Sequence, residues 1–491
     1  DLAASPFHLG RSLQAWEQAK PLAAINCFAD GGTNAHVILE AWQEPVGRVI
    51  RRQPLPPVAL KRRRLAGLEA TLAATPAWCW LDGTEPTQIR MGVDHPILAS
   101  HKAYGQELLP GLAYIDILYQ LFERRGLKLA QLELRNLSIY QPLIVAQGCD
   151  VLLELRCEGP QEGPWQLKLE GREQRGLALS EYKRYAVAEM HRAEPAVFSE
   201  TLDMDAVRRS ARQTLNLDEL YRQCRTQGLE HDGLIKAQGL VYEADDATCI
   251  EIEVGPQGQA SAQDYRFHPT LIDGSSVGAQ RLFTAFFEGE QRLILPLFYE
   301  SFRAIAPLQG RCLTRIPAAS LRRRNELLYM DMDFFDSAGH KVAELRNYAC
   351  KLVRDEGAIN PGRKAEAQPA APVAAAAAAA VIATPVNTAQ VSATDASAAE
   401  RDLVELMAAR IKVPVDQIDV NVGYYELGLD SAKLLELVTE LEKKIGASLA
   451  PTLLFEYTTI AELATYLIGR YPQVWQGAAT STPVTTPLAP T

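Results

Sequence analysis

The stretch HKAYGQELLPG, from His101 to Gly111, constrains this chain more than any other. It sets a glycine four residues after a histidine and a proline five residues after that. The pattern predicts a histidine on an extended segment and a tight turn at Gly105, where backbone angles closed to other residues are open. It also predicts a helix starting at Pro110, a residue preset for a first helical turn. Leu112, Ile115, Leu118, Tyr119 and Phe122 follow at spacings of three and four, so the helix is buried along one face. A general base would then stand beside a helix N-terminus, whose free N–H groups can polarise a carbonyl. Taken alone, His101 is the structural histidine of a turn.

A second stretch changes that balance. In YRFHPTLIDGSSVGAQRLF, from Tyr265, the proline at 269 restrains His268 toward extended backbone. Asp273 is expected at the start of a helix carrying Val277, Ala279, Leu282 and Phe283, either as its N-cap or as an ionisable group at its mouth. The two stretches thus repeat one design. Around them strand-like runs dominate residues 87–354: LELRNLSIYQPLIV from Leu132, CDVLLELRCEG from Cys149 and CIEIEVG from Cys249. Strands wrapped on a buried helix, twice over, predict a tandem α+β arrangement.

A chain of 491 residues implies two to four units. Its formal charge of -10 and short basic runs argue against a nucleic-acid binder. The eight cysteines are scattered without CxxC pairs, which suggests neither zinc nor a disulfide framework and fits a reducing cytosol. No apolar run reaches membrane length. Residues 43–86, Pro- and Arg-rich, read as a linker. Residues 355–396, with PVAAAAAAAVIATPVNTAQVSATDAS, read as a mobile tether, and 471–491 as a further linker. Both ends read as cuts in a longer polypeptide. Residues 397–470 read as a small helical bundle: Leu403, Leu406, Met407 and Ile411 mark its first helix. A loop ending in YYELGLDS precedes a helix with Leu434, Leu435, Leu437, Val438, Leu441 and Ile445. Thr459 and Glu462 form a capping box for the last helix.

Three resemblances follow from these residues. GTNAH, ending at His36, resembles the closing strands of a β-ketoacyl synthase of polyketide assembly lines, where that motif carries an active-site histidine. It covers residues 1–42, the C-terminal end of such a domain, without its nucleophilic cysteine. His101, Gly105 and Pro110 resemble the HxxxGxxxxP motif of polyketide synthase dehydratases, and Asp273 in HPTLIDG resembles their second-half aspartate. LPLF, from Leu295, is similar to a segment downstream of it. This resemblance covers 87–354 and implies a double hotdog; His95 does not fit the spacing. GLDS and the helix after it resemble the acyl carrier protein, in which Ser431 would bear 4'-phosphopantetheine; as a bare serine, Ser431 could be an N-cap. The implied fold class is an α+β double hotdog plus an all-α four-helix carrier bundle, joined by a flexible Ala/Pro-rich linker. Two departures stand out. Val277 occupies the place where the family has Gln or His to orient the aspartate, with Gln280 about two turns from Asp273. GLEHDGLIKAQG, from Gly228, replaces a Tyr-Gly-Pro pattern and puts His231 near the tyrosine position.

The resemblance implies elimination of water from a β-hydroxyacyl thioester on a carrier. Neutral His101 would take the α-proton, and Asp273, kept protonated by an apolar pocket, would protonate the departing hydroxyl. N–H groups near Gly111 would stabilise charge on the thioester oxygen. Gly105, Pro110, Gly111 and His231 would shape the substrate site, and no metal is required. Glu426, Asp430, Glu436 and Glu440 would give the carrier an acidic docking face. The surroundings are similar to assembly lines that receive acyltransferase activity in trans. They imply as partners a trans-acting acyltransferase, the rest of the ketosynthase, a phosphopantetheinyl transferase and a second copy in a homodimer. Because no nucleotide-binding GxGxxG unit, hence no ketoreductase, lies between the dehydratase-like region and the carrier, two alternatives stay open. One is a branching domain performing Michael addition with lactone or glutarimide formation. The other is a catalytically silent scaffold.

Overall fold

The structure is a computed structural model that describes residues 22–28, 34–40, 77–81, 86–176, 178–287, 292–325, 327–353, 356–360 and 393–475. The chain divides into two compact units, residues 1–69 and 70–491. In the first, Leu22–Phe28 pairs antiparallel with Asn34–Glu40, and Asn26 stands opposite His36. Most of the 43–86 linker, the 361–392 stretch of the tether and the chain after Trp475 lie outside the described residues.

In the second unit the helices are α1 (Pro96–Ser100), α2 (Ala113–Arg124), α3 (Met204–Ser210), α4 (Leu217–Thr226), α5 (Pro269–Gly278), α6 (Gln280–Phe286), α7 (Ala393–Ile411), α8 (Ser431–Ile445), α9 (Leu453–Glu456) and α10 (Ile460–Arg470). The strands expected from Leu132, Cys149 and Cys249 form as Leu132–Ile139, Asp150–Glu158 and Ala247–Val254. They belong to a 15-stranded sheet that is continuous across the two halves. The seam is an antiparallel pair, Leu132–Ile139 against Ile294–Ala304, with Leu134 opposite Phe302. The sheet wraps on α2 and α5, whose buried faces share one apolar core, as in a double hotdog. Tyr119 of α2 ties the seam together: its hydroxyl donates to the carbonyls of Leu132 and Phe302, at 3.2 and 2.9 Å.

Two helix starts differ from the expectation. The helix after HKAYGQELLPG begins at Ala113, not Pro110; Pro110 instead closes a turn, its carbonyl accepting from Ala113 N. Asp273 is the fifth residue of α5, whose N-cap is His268. His268 accepts from Thr270 N and is followed by Pro269, just as His95 accepts from Ile97 N ahead of Pro96 at the start of α1. The repeated device is therefore a His-Pro cap, which satisfies a free N–H and presets the first turn. The expected single helix through Phe283 is two, α5 and α6, separated at Ala279.

Residues 393–475 form the helical bundle, with α7, α8 and α10 as its long members. Thr459 caps α10 by accepting from Glu462 N, while Glu462 reaches back to Thr458 N. Asp430, not Ser431, caps α8 by accepting from Lys433 N. Ser431 is the first residue of that helix, so its hydroxyl is not spent on capping.

Candidate active site

A small sheet positions the chemistry. His101–Ala103 turns through Tyr104 and Gly105 into Gln106–Leu108, and both turn residues have positive φ, 48° and 78°. Such a two-residue turn matches strand twist, and glycine takes its second position without strain. On the other side, Leu229–His231 pairs antiparallel with His101–Ala103, bringing His231 directly opposite His101. The two rings meet edge to face, centroids 4.9 Å apart. From α5, Asp273 reaches the same point, and its Oδ2 lies 3.1 Å from His231 Nε2. His101, His231 and Asp273 are 2 %, 3 % and 8 % exposed.

The hydrogen bonds assign roles. His101 Nδ1 lies 2.7 Å from the Leu108 carbonyl, which can only accept, so that nitrogen carries the hydrogen. Nε2 is left with its lone pair. Burial, then the charge of His231, push the His101 imidazole down to about 4, against the opposing effects of Asp273 and the Leu108 bond. At neutral pH His101 is an uncharged base. Burial works to raise the Asp273 carboxyl, but the hydrogen bond from His231, with the electrostatic influence of the two imidazoles beside it, outweighs that and holds the group below the usual value. The neutral acid expected of an apolar pocket is therefore opposed in the empty site by its histidine neighbours, which favour the charged form.

These three residues line one cavity of about 450 Å³. Its walls are largely apolar, including Leu108, Ile139, Leu229 and Val277. Cys224 and Cys350 also line it, and burial pushes both thiols up to about 12, so they stay neutral. Gly111 lines the cavity at close quarters: a Cβ there would meet Ile139 Cδ1 at 2.9 Å and Pro296 at 3.1 Å, so its neighbours would have to shift. The LPLF segment supplies Leu295, Pro296 and Leu297 to the same wall. Gly105 and Pro110, expected to touch substrate, are not among the lining residues; they shape the turns behind it. Gln280 lines the cavity but donates to Gln227 rather than Asp273. His95 is excluded from the site: it stacks on Trp78 and bonds the Ala77 carbonyl at 3.0 Å.

The sequence left the third member of the cluster open. Val277 cannot orient Asp273, and His231 does so from another strand. The same cavity is lined by Ser431, with Lys351 and Tyr425 beside it; neither of these two stood out in the sequence. The residues there fit phosphopantetheine: an available serine hydroxyl, an adjoining cation and a tunnel leading inward. His101, His231 and Asp273 also form the one group among the described residues whose ligand atoms, all within 4.8 Å of one another, could hold a metal ion. His36 sits exposed on its hairpin in the other unit.

A histidine base and a carboxyl converging in an apolar tunnel of a double hotdog define a dehydratase-type domain, here followed by a carrier bundle. Comparison with known proteins makes this specific. Residues 83–172 match the polyketide synthase dehydratase domain, 199–360 the polyketide synthase dehydratase N-terminal domain, and 401–467 the phosphopantetheine attachment site. A crystal structure of a monomeric dehydratase domain from a trans-AT polyketide synthase split module is 48% identical, with a TM-score of 0.53, over 54% of this chain and 98% of that one. An N-terminal dehydratase from the difficidin assembly line shares the fold at 18% identity and a TM-score of 0.50, over 55% of this chain and 93% of that one. Polyketide synthases PksL and PksM of Bacillus subtilis (strain 168) are 45% and 42% identical over 80% and 78% of this chain. Those matches span 9% and 8% of the two proteins. The chain belongs to the polyketide synthase dehydratases and carries a carrier domain for 4'-phosphopantetheine at its C-terminal side.

Proposed function

We propose that this domain eliminates water from a β-hydroxyacyl thioester borne on a carrier. The observation that carries the reading is the tautomer of His101: its Nδ1–H is committed to Leu108, which leaves Nε2 its lone pair, and the ring lines the same cavity as Asp273. Phosphopantetheine supplies a flexible arm and a thioester whose carbonyl acidifies the α-proton. His101 Nε2 takes that proton as the α C–H bond breaks. The electron pair forms the C=C bond as the β C–O bond breaks, and the hydroxyl leaves as water with a proton from Asp273. The acid must therefore be protonated at that moment. An acyl chain filling the tunnel excludes water and strengthens the burial effect that favours the neutral carboxyl. His231 keeps its hydrogen on Oδ2 and so directs Oδ1 to the substrate. Transfer of the proton from His101 back to Asp273 resets the pair.

The test loads Ser431 of the holo chain with a β-hydroxyacyl group and follows loss of water by intact-protein mass. His101→Ala and Asp273→Asn should each slow it by about 10³-fold. No water loss in the wild type, with cyclisation when an intact ketosynthase is supplied, would favour branching chemistry; no product by either route leaves a scaffold. In the wider assembly, similarity to PksL, PksM and the trans-AT split-module domain supports an acyltransferase acting in trans. GTNAH with His36 supports a preceding ketosynthase, and seven free cysteines from Cys79 to Cys350 support a reducing cytosol. Activation by a phosphopantetheinyl transferase follows from the carrier domain. A homodimer rests on the family resemblance, although the split-module relative is described as monomeric.

A further inference from the structure

Three of the four acidic residues expected on the carrier's docking face are paired within the carrier itself. Glu436 and Glu440 pair with Arg410 of the carrier's own first helix, and Asp430 pairs with Lys433. A contact with the dehydratase is made by Glu456, the last residue of α9. One of its carboxylate oxygens accepts from Arg324 at 2.7 Å and the other from the Tyr329 hydroxyl at 2.5 Å. Its carbonyl accepts from the Asn325 side chain. Arg324 and Asn325 form the tip of the Arg322–Arg324/Leu327–Phe335 hairpin, on the dehydratase. Beside this clamp, Tyr140, Leu297, Phe298 and Leu327 of the dehydratase fall in one buried cluster with the carrier core, including Leu429 and Leu453. A clamp flanked by apolar burial is the anatomy of a specific interface.

The arrangement aims the carrier serine. Lys351, near the end of the strand Lys341–Leu352, hydrogen-bonds Ser431 Oγ and, at 2.8 Å, the Tyr425 hydroxyl. Its ammonium also lies over the rings of Tyr425 and Phe455, 5.1 and 5.2 Å from their centroids. We infer that the Arg324–Asn325–Tyr329 face is the docking site for this chain's own carrier. In that docked state Lys351 and Tyr425 cradle the phosphodiester formed on Ser431, so that the arm enters the tunnel toward His101. A phosphodiester beside Lys351 would form a charge-assisted bond stronger than the one the bare hydroxyl makes. Asp430, the acidic neighbour, is turned to Lys433 and does not oppose it. The consequence for catalysis rests on the dehydration reading; the docking itself does not.

Two readouts separate the two. The ³¹P resonance of the phosphodiester is recorded on the full holo chain. Lys351→Ala should shift it, and Arg324→Glu should sharpen it, because a released carrier tumbles on its tether. Combining Arg324→Glu with Glu456→Arg should restore part of the original width. If the resonance keeps the same position and width in all three variants, the docking site is overturned whatever the enzyme does. In the second readout, the rate of water loss from the acyl-loaded chain should fall about tenfold in Arg324→Glu. Turnover of a short β-hydroxyacyl thioester free in solution reports on His101 and Asp273 without the carrier. Absence of that turnover in the wild type counts against dehydration and leaves the ³¹P result to decide the docking. An unchanged carrier-bound rate in Arg324→Glu counts against the docking alone.

Discussion

His101 can serve as a base because one backbone carbonyl fixes its other nitrogen, and because burial keeps the ring neutral. Its lowered value, about 4, places the acidic fall of kcat/KM near that pH rather than near the ordinary 6.5, since a base must be deprotonated to act. Part of the lowering comes from the charge of His231. His231→Gln removes that charge but keeps an N–H for Asp273, so the acidic limb should move to higher pH while kcat falls only modestly. His231→Ala leaves Asp273 unheld and should cost about a hundredfold in kcat, the scale of a small misplacement of a reacting group. A histidine that merely fills space would leave the pH profile of the glutamine variant where it was. Of the three residues, His101 and Asp273 were legible because each sits in a local motif with fixed spacing. The role of His231 depends on a register between strands well over a hundred residues apart, which no local pattern reports.

Between elements, the two halves are joined by a residue that the sequence did not flag. Asp116 lies on the buried face of α2. One of its oxygens accepts from the backbone N–H groups of Arg266 and Phe267, just before α5, at 2.6 and 2.7 Å. The other accepts from Trp78 Nε1 and Gln120 Nε2, at 2.6 and 2.8 Å. The 3.6-residue pattern made α2 readable but says nothing of Asp116, because three of its four donors come from elsewhere in the chain, at Trp78, Arg266 and Phe267. Asp116→Ala would strand the Trp78 indole and the Arg266 and Phe267 N–H groups, while Gln120 keeps the Asp264 carbonyl, and should destabilise the dehydratase by about 3 kcal/mol. Asp116→Asn should be nearly as costly, since its amide adds a donor to a pocket of donors. A fall of roughly 5–10 °C in the dehydratase transition by calorimetry would bear this out; an asparagine variant as stable as wild type would show that the carboxylate is not the brace. The misplaced helix starts have a similar origin. A proline marks where a helix can begin, and the chain used the turn at Pro110 and Gly111 to pack closely against Pro296 before α2 starts.

At the scale of the whole molecule, the two domains answer acid differently. Every histidine of the sequence lies before residue 341, so the carrier has none. In the dehydratase, burial lowers His95, His101 and His268, the second to about 4 and the third to about 3. A lowered folded-state value means that the unfolded chain binds protons first. The stability is full above about 6.5 and is lost as pH falls toward those values. Between pH 7 and pH 5, His101 and His268 together remove about 3–4 kcal/mol. Asp116, pushed up to about 6 by burial against its four hydrogen bonds, acts in the opposite sense. Its folded form takes up a proton before the unfolded chain does, which returns about 1 kcal/mol over the same interval. The histidines win. Calorimetry of the full chain should therefore show the dehydratase transition falling well below its neutral position at pH 5, while the carrier transition moves much less. Replacing His268 by Asn, which keeps an acceptor for Thr270 N, should flatten the pH dependence of the first transition and leave the second untouched. Parallel movement of both transitions, or a dehydratase transition constant from pH 7 to 5, would mean that buried neutral imidazoles do not set the acid limit of this fold.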